Sequence, residues 1–456
     1  MEFTTAELEP LANQLAKLCA AKMDRQQERH ISTLEEGVRR GLKELGGLVL
    51  GKTLSQAEGP YEKEIACSCG GQLHYQRRRA AQLESIFGWV SYERNYYAAC
   101  GCGKGLAPLD QAMGLRPGEI TPGLARLLAL AGSGLAFGES TGWLQEFLLL
   151  ELSENSIRKE TQAFGQKRVE YEETLQTRYA APAYLQERLR TETERPKRLY
   201  GALDGAHVRI EEPDEEEKWR EVKAGCWFQV EIVPPSQQTQ RHRKKTEIGH
   251  QALRAVEQQY YCDIQTVNDF APLFWAMGCE AKADLAEEVV FLGDGAPWIW
   301  GLVETYYPQA VQIIDWYHAE ERLEKVSKEA FPAGAERDTW LDDARTALWE
   351  GETTFVIRTC ETLAARSAEA AAASTYFTNN THRMAYDRFR AQGYMIGSGT
   401  IESACKQIVT HRLGCSGAQW TVQGARLTAK TRAAWLSHNA DWETLCSMRA
   451  DLPLAV

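Results

Sequence analysis

Val289-Val-Phe-Leu-Gly-Asp294-Gly295 is an apolar run that stops on an acid and a turn dipeptide, and Leu199-Tyr-Gly-Ala-Leu-Asp204-Gly205 has the same form ninety residues upstream. Short apolar runs bounded by turn residues suit buried strands. Working outward, residues 225–233 read as a second strand and 262–267 as a third, and a helix begins over 271–278. The Val289 run is then the fourth strand, followed by a helix over 297–306. Residues 311–318, which include Asp315 and His318, form a fifth strand running into a helix. Three strands, a helix, then strand-helix-strand is the element order of an RNase H-like α/β domain.

Composition bounds the rest. A chain of 456 residues with 44% apolar and 25% charged residues has room for several cores and is not a disordered chain. No apolar run approaches the ~18 residues of a membrane helix, and the Met1-Glu-Phe-Thr-Thr start lacks the basic and apolar regions of a signal peptide. The expectation is a cytoplasmic protein with no membrane partner. Net charge is −11, which disfavours a non-specific polyanion binder. The average is uneven: six acids fall in Glu211-Glu-Pro-Asp-Glu-Glu-Glu217, whereas the stretch between Glu402 and Asp441 has no acid but includes Lys406, Arg412, Arg426, Lys430 and Arg432. A local basic surface is therefore expected in this tail. Arg241-His-Arg-Lys-Lys245 reads as a solvated loop.

The N-terminal part divides by character. Residues 1–60 read as a charge-mixed helical arm, a dimerisation element. Residues 61–116 hold Cys67-Ser-Cys69 and Cys100-Gly-Cys102, bracketing a segment rich in Tyr, Arg and Trp with a turn at Phe87-Gly88-Trp89, hence a β-hairpin closed by two cysteine knuckles. Four thiolates can hold a structural zinc with no open position; the other reading is four buried, redox-idle thiols. The remaining eight of the twelve cysteines are scattered singly. Residues 117–195 look like a helical cluster and connector in which Ser153 caps a helix carrying Asn155, Arg158 and Lys159. This suits a helix-turn-helix that places Arg158 and Lys159 on DNA, or plain three-helix packing. The catalytic part is expected over 196–324, a helical insertion over 325–393, and the closing helices over 394–456.

Two Asp-Gly strand ends offer carboxylates at one sheet edge, where two divalent ions for phosphoryl transfer need oxygen ligands. Gly397-Ser-Gly-Thr-Ile-Glu402-Ser supplies a third acid at the start of a helix, and Lys406 one turn on can meet a phosphate. His318 can donate to phosphate or take a proton near neutrality. For Asp315 the packing reading is preferred, with the acid orienting the histidine ring.

Together, Leu203-Asp204-Gly205-Ala-His-Val, Leu292-Gly-Asp294-Gly-Ala-Pro-Trp-Ile-Trp300, Asp315-Trp-Tyr-His318-Ala and Gly397-Ser-Gly-Thr-Ile-Glu402-Ser-Ala-Cys-Lys406 resemble the blocks of bacterial insertion-sequence transposases of the ISKra type, DDE enzymes with a Mutator-like arrangement. The resemblance covers most of the chain. It implies Asp204, Asp294 and Glu402 as ligands of Mg²⁺ (or Mn²⁺), and the helical insertion before the Glu402 helix. Relatives usually carry C-x-x-C where this chain has C-x-C. The implied function is metal-dependent cleavage of double-stranded DNA at element ends and strand transfer into target DNA, by at least a dimer, on the bacterial nucleoid. Arg412 and Lys406 would lie along the DNA. Two alternatives remain: a non-catalytic DNA-binding descendant, and a metal-independent carboxylate hydrolase using the same acids.

Overall fold

The computed structural model describes residues 3–26, 30–213, 217–240, 251–438 and 441–448. The basic run 241–245 and the acids at 214–216 lie outside them. The described residues form two compact units, 1–131 with 137–160, and 132–136 with 161–448. The chain passes from one unit to the other after residues 131, 136 and 160. Among the described residues no helix is long and apolar enough to cross a membrane.

The first unit opens with α1 (Thr5–Gln26) and α2 (Ile31–Ala57). A three-stranded antiparallel sheet follows, β1 (Glu64–Ala66), β2 (Gln72–Ser85) and β3 (Gly88–Ala98). The β2–β3 hairpin turns at Ile86-Phe87, with Ser85 paired to Gly88. Its buried face gathers Ala81, Leu83 and Tyr92 with Leu54 of α2 and Leu109 of α3 (Pro108–Met113). Three further helices, α4 (Pro122–Gly134), α5 (Phe137–Leu148) and the start of α6 (Glu154–Tyr179), pack Leu124, Leu128, Leu144 and Ile157 into a second core. Ser153 does cap α6, its hydroxyl accepting the Ser156 N–H at 3.0 Å. The helix continues to Tyr179, and α7 (Pro182–Thr191) completes the connector.

The second unit is α/β. Its sheet has the order β6-β5-β4-β7-β8, with β4 (Leu199–Arg209), β5 (Trp219–Ile232) and β6 (Leu253–Asp263) an antiparallel meander. β7 (Val289–Gly293) and β8 (Val311–Ile314) run parallel to β4. Two strands differ from expectation. β4 does not end on Asp204-Gly205; it pairs with β5 through Arg209, so this Asp-Gly is mid-strand. The third strand lies at 253–263 and not 262–267. Helices α8 (Val267–Glu280, capped by Thr266) and α9 (Pro297–Tyr306) cover one face. The aromatic core between helices and sheet includes Trp227, Phe274 and Phe291, and Gly225 makes room for it, because a Cβ there would lie 2.3 Å from the Phe274 ring.

After β8 comes a helical block: α10 (Trp316–Ala330), α11 (Ala335–Trp349), α12 (Thr353–Leu363), α13 (Ala368–Asn379) and α14 (Tyr386–Ala391). It is fastened to the sheet edge by Arg383, which donates to Gln312 and Glu304, and by the Tyr386 hydroxyl on the Ile314 carbonyl. The chain then enters α15 (Gly399–Cys405), a π-helical turn at Lys406–Thr410, α16 (Val422–Leu436) and α17 (Asp441–Ser447).

Candidate functional site

Strand register builds the site. Ala202 of β4 stands beside Leu292 of β7, and Leu292 beside Ile313 of β8. Continuing each strand in that register puts Asp204, Asp294 and Asp315 in one row at the carboxyl ends of three adjacent parallel segments, a usual ligand position in α/β sheets. β4 outruns its parallel neighbour, which is why its acid is mid-strand yet still at the edge of the β4–β7 pairing.

Asp204 is half-buried, and its Oδ1 accepts the Gly205 N–H at 2.8 Å. Burial pushes its pKa up, and the Asp294 charge adds to the rise. The Gly205 N–H, the Cys405 thiol and His318 oppose it. Asp294 follows the last residue of β7, and its Oδ1 accepts the Ala296 N–H at 2.9 Å. Tyr376 of α13 donates its hydroxyl to the Asp294 carbonyl at 2.9 Å, so the helical block steadies this acid's backbone.

Asp315 is fully buried and caps α10, its Oδ1 accepting the His318 N–H at 2.9 Å while Oδ2 accepts the Ser398 N–H. The bond goes to the backbone of His318 and not to its ring, so the expected ring-orienting role gives way to a helix cap. Burial raises the Asp315 pKa despite these N–H donors. Ser398 in turn donates its hydroxyl to Glu402 Oε1 at 3.2 Å, joining the two acids through one residue. The Gly397 position is narrow, since a Cβ there would sit 3.3 Å from the Tyr317 ring. Lys406 Nζ is 3.8 Å from Glu402 Oε2 and largely exposed.

Among the described residues two groups of three or more ligand-type side chains have their donor atoms within 4.8 Å of one another. One is Asp315, His318 and Glu402; the other is Cys67, Cys69, Cys100 and Cys102. Glu402 is thus clustered with Asp315 and His318, and Asp204 and Asp294 belong to neither group. They lie in the adjoining part of the same site, Asp204 feeling the charges of both Asp294 and His318.

The cysteines fit a metal. Sγ separations are 3.4 Å (Cys67–Cys69 and Cys69–Cys100) and 3.6 Å (Cys67–Cys102). A tetrahedral zinc with bonds of about 2.3 Å needs sulfurs about 3.8 Å apart. The backbone N–H of Cys69, with the neighbouring thiols, brings the Cys67 thiol down to about 7, whereas the Cys100 thiol, despite the Cys102 backbone N–H, is pushed up to about 12 by contact with the thiols of Cys69, Cys102 and Cys67. Two tight turns, Gly70 N–H to Cys67 carbonyl and Gly103 N–H to Cys100 carbonyl, give each knuckle its form despite the one-residue spacing.

The expected DNA contacts separate. Arg158 and Lys159 are exposed on α6, Arg158 bonding Asn155 at 2.6 Å. Arg412 corrects the expectation: it is 2% exposed, donates to the Gly132 carbonyl at 2.7 Å and stacks over Trp420, so it is a core brace. The basic tail is corrected likewise. Lys430 is fully buried between Glu172 (2.6 Å) and Asp263 (2.7 Å), and Arg426 pairs with Asp263 at 2.6 Å.

Sequence reasoning missed Ser398, Cys405 and Tyr376 as neighbours of the acids. Only Ser398 had a signal, its position four residues before Glu402 in a Gly-Ser-Gly entry to a helix. Comparison of the chain with protein-family models and with curated proteins gave no significant match.

Proposed function

We propose that this protein is a DNA transposase whose catalytic domain is RNase H-like. The observation that carries the reading is the row Asp204, Asp294, Asp315 at three adjacent parallel strand ends, with Glu402 brought to it from a distant helix. The sheet order, three antiparallel strands followed by two parallel to the first, supports the fold assignment. So do the sequence blocks that resemble ISKra-type enzymes.

The donor set suits the chemistry. The half-buried Asp204 carboxylate, whose pKa is raised by burial and by the Asp294 charge, is relieved by a divalent cation, and oxygen ligands suit Mg²⁺ or Mn²⁺. Asp204, Asp294 and Glu402 would hold such ions, which when bound polarise the scissile phosphate and lower the pKa of water. The protein's own groups then position the DNA. Exposed Lys406 meets a phosphate beside Glu402 and restrains that carboxylate. His318, half-exposed at the start of α10, donates to a phosphate oxygen or accepts a proton from the attacking water. Hydrolysis at the element end frees a 3′-hydroxyl, which attacks target DNA in line without a covalent protein intermediate. Two ends joined to one target require at least a dimer, and the site of action is the bacterial nucleoid. The cysteine cluster holds a structural zinc in the end-binding part of the chain, and Arg158 and Lys159 contact DNA from α6.

The test uses purified protein and a plasmid carrying the gene with its native flanking DNA. Breaks at two fixed ends with Mg²⁺, absent in Glu402→Gln and abolished by EDTA, are expected. Equal patterns from the two proteins would remove Glu402 from the mechanism and leave a DNA-binding descendant. Hydrolysis surviving EDTA would favour the metal-independent hydrolase.

A further inference from the structure

We infer that Asp315, His318 and Glu402 form a cation site of their own, beside Asp204 and Asp294, which takes Mn²⁺ or another borderline transition ion in preference to Mg²⁺. The inference deepens the proposed function and rests on it for the cation's purpose, not for its binding.

Geometry comes first. One donor atom from each residue lies within 4.8 Å of the other two. Ligands about 2.0–2.2 Å from a metal stand roughly 3 to 4.4 Å from one another, so small side-chain rotations close the set. The residues are also held by the fold. Asp315 caps α10, which fixes His318 three residues on, one turn into the same helix. Ser398 bridges the other pair, its N–H on Asp315 and its hydroxyl on Glu402. Bonds of this kind, from partners that do not touch the metal, orient its ligands.

Donor chemistry sets the selectivity. Asp315 accepts one N–H on each oxygen, and a carboxylate has about four acceptor positions, so both oxygens keep lone pairs for a cation. An imidazole nitrogen suits transition ions, and Mn²⁺ stands in the affinity series for mixed nitrogen and oxygen sites, whereas Mg²⁺ is bound through carboxylates and water oxygens. Three protein ligands leave positions open for water or phosphate, unlike the four-sulfur cluster. Glu402 therefore has two possible sets of partners, and a cation held with His318 draws it away from Asp204 and Asp294.

The probe is Mn²⁺ alone, bound to the full chain and read by pulsed electron paramagnetic resonance, which detects a directly bound nitrogen. Thiolates are poor Mn²⁺ ligands, so the cysteine cluster does not interfere. Wild type should show imidazole nitrogen coupling that an excess of Mg²⁺ does not displace. His318→Gln should lose it, and Asp204→Asn and Asp294→Asn should keep it. Ser398→Ala, which retains every ligand, should keep the coupling with Mn²⁺ affinity lowered roughly 10-fold or more. Bound Mn²⁺ without nitrogen coupling, coupling that survives His318→Gln, or displacement by Mg²⁺ would overturn the inference. Nitrogen-coupled Mn²⁺ in a protein that cuts no DNA would count against the transposase reading and leave this site standing.

Discussion

Replacing Lys430 with methionine tests whether the acid-free tail is structural or a DNA surface. The Lys430 ammonium is fully buried, and all three of its donors are used, by Glu172 at 2.6 Å, Asp263 at 2.7 Å and the Cys262 carbonyl at 3.0 Å. Arg168 and Arg426 hold the far sides of the same two acids, and Arg168 also pairs with buried Asp441. Three cations thus face three anions. Methionine keeps most of the volume but leaves one buried negative charge in excess and three acceptors short of a donor. Breaking a buried pair in this way costs about 3–5 kcal/mol. For a unit of this size, that is a fall of roughly 5–8 °C in the unfolding temperature. Calorimetry on wild type, Lys430→Met and Lys430→Met/Glu172→Gln measures it, and the double variant should recover part of the loss by removing the excess charge. A Lys430→Met protein as stable as wild type, whose DNA affinity has lost about one unit of salt dependence, would refute the argument and return Lys430 to the phosphate backbone.

The same network gives a pH dependence. Burial raises the Asp263 pKa, but Lys430 and Arg426 outweigh it and the net shift is downward, so its contribution is present above about 4 and lost as pH falls through the depressed folded value. Burial lowers the Lys430 pKa, yet Glu172 and Asp263 carry it upward; that contribution is present below about 10.4 and lost as pH rises through the folded value. Unfolding temperature against pH should therefore fall at both extremes, and Lys430→Met should flatten the alkaline limb. Asp204→Asn should abolish Mg²⁺-dependent cleavage while raising metal-free stability by about 1 kcal/mol, because the ionised acid is disfavoured by burial and by Asp294. A destabilised, still active variant would contradict that. Metal analysis should find one zinc per chain, lost in Cys67→Ser; full retention there would take Cys67 out of the ligand set.

The sheet was legible where strands are buried on both faces. β4 and β7 are apolar runs because helices and neighbouring strands enclose them, and each led directly to its acid. β6 was misplaced because Leu253-Arg-Ala-Val-Glu-Gln-Gln is an edge strand, partly exposed and mixed in polarity, and only its buried end at Tyr261-Cys262 looked like a strand. Asp204-Gly205 was read as a turn on dipeptide preference, which ten consecutive pairings with β5 override. The charged tail misled for a different reason. Composition counts charges within a window, but the partners of Lys430 and Arg426 lie at Glu172 and Asp263, far away along the chain. Clustering of Glu402 with Asp315 was out of reach on similar grounds, since no local pattern reports where a helix entry lands on a sheet.

The acids of the site come from points about two hundred residues apart, Asp204 first and Glu402 last. At about 5–20 residues per second, the ribosome needs roughly 10–40 s to travel between them. Throughout that interval a growing chain holds Asp204 but no complete ligand set. On the proposed reading, a protein arranged in this order has no cleavage site while it is being made, and a chain abandoned before residue 402 is released without its last ligand.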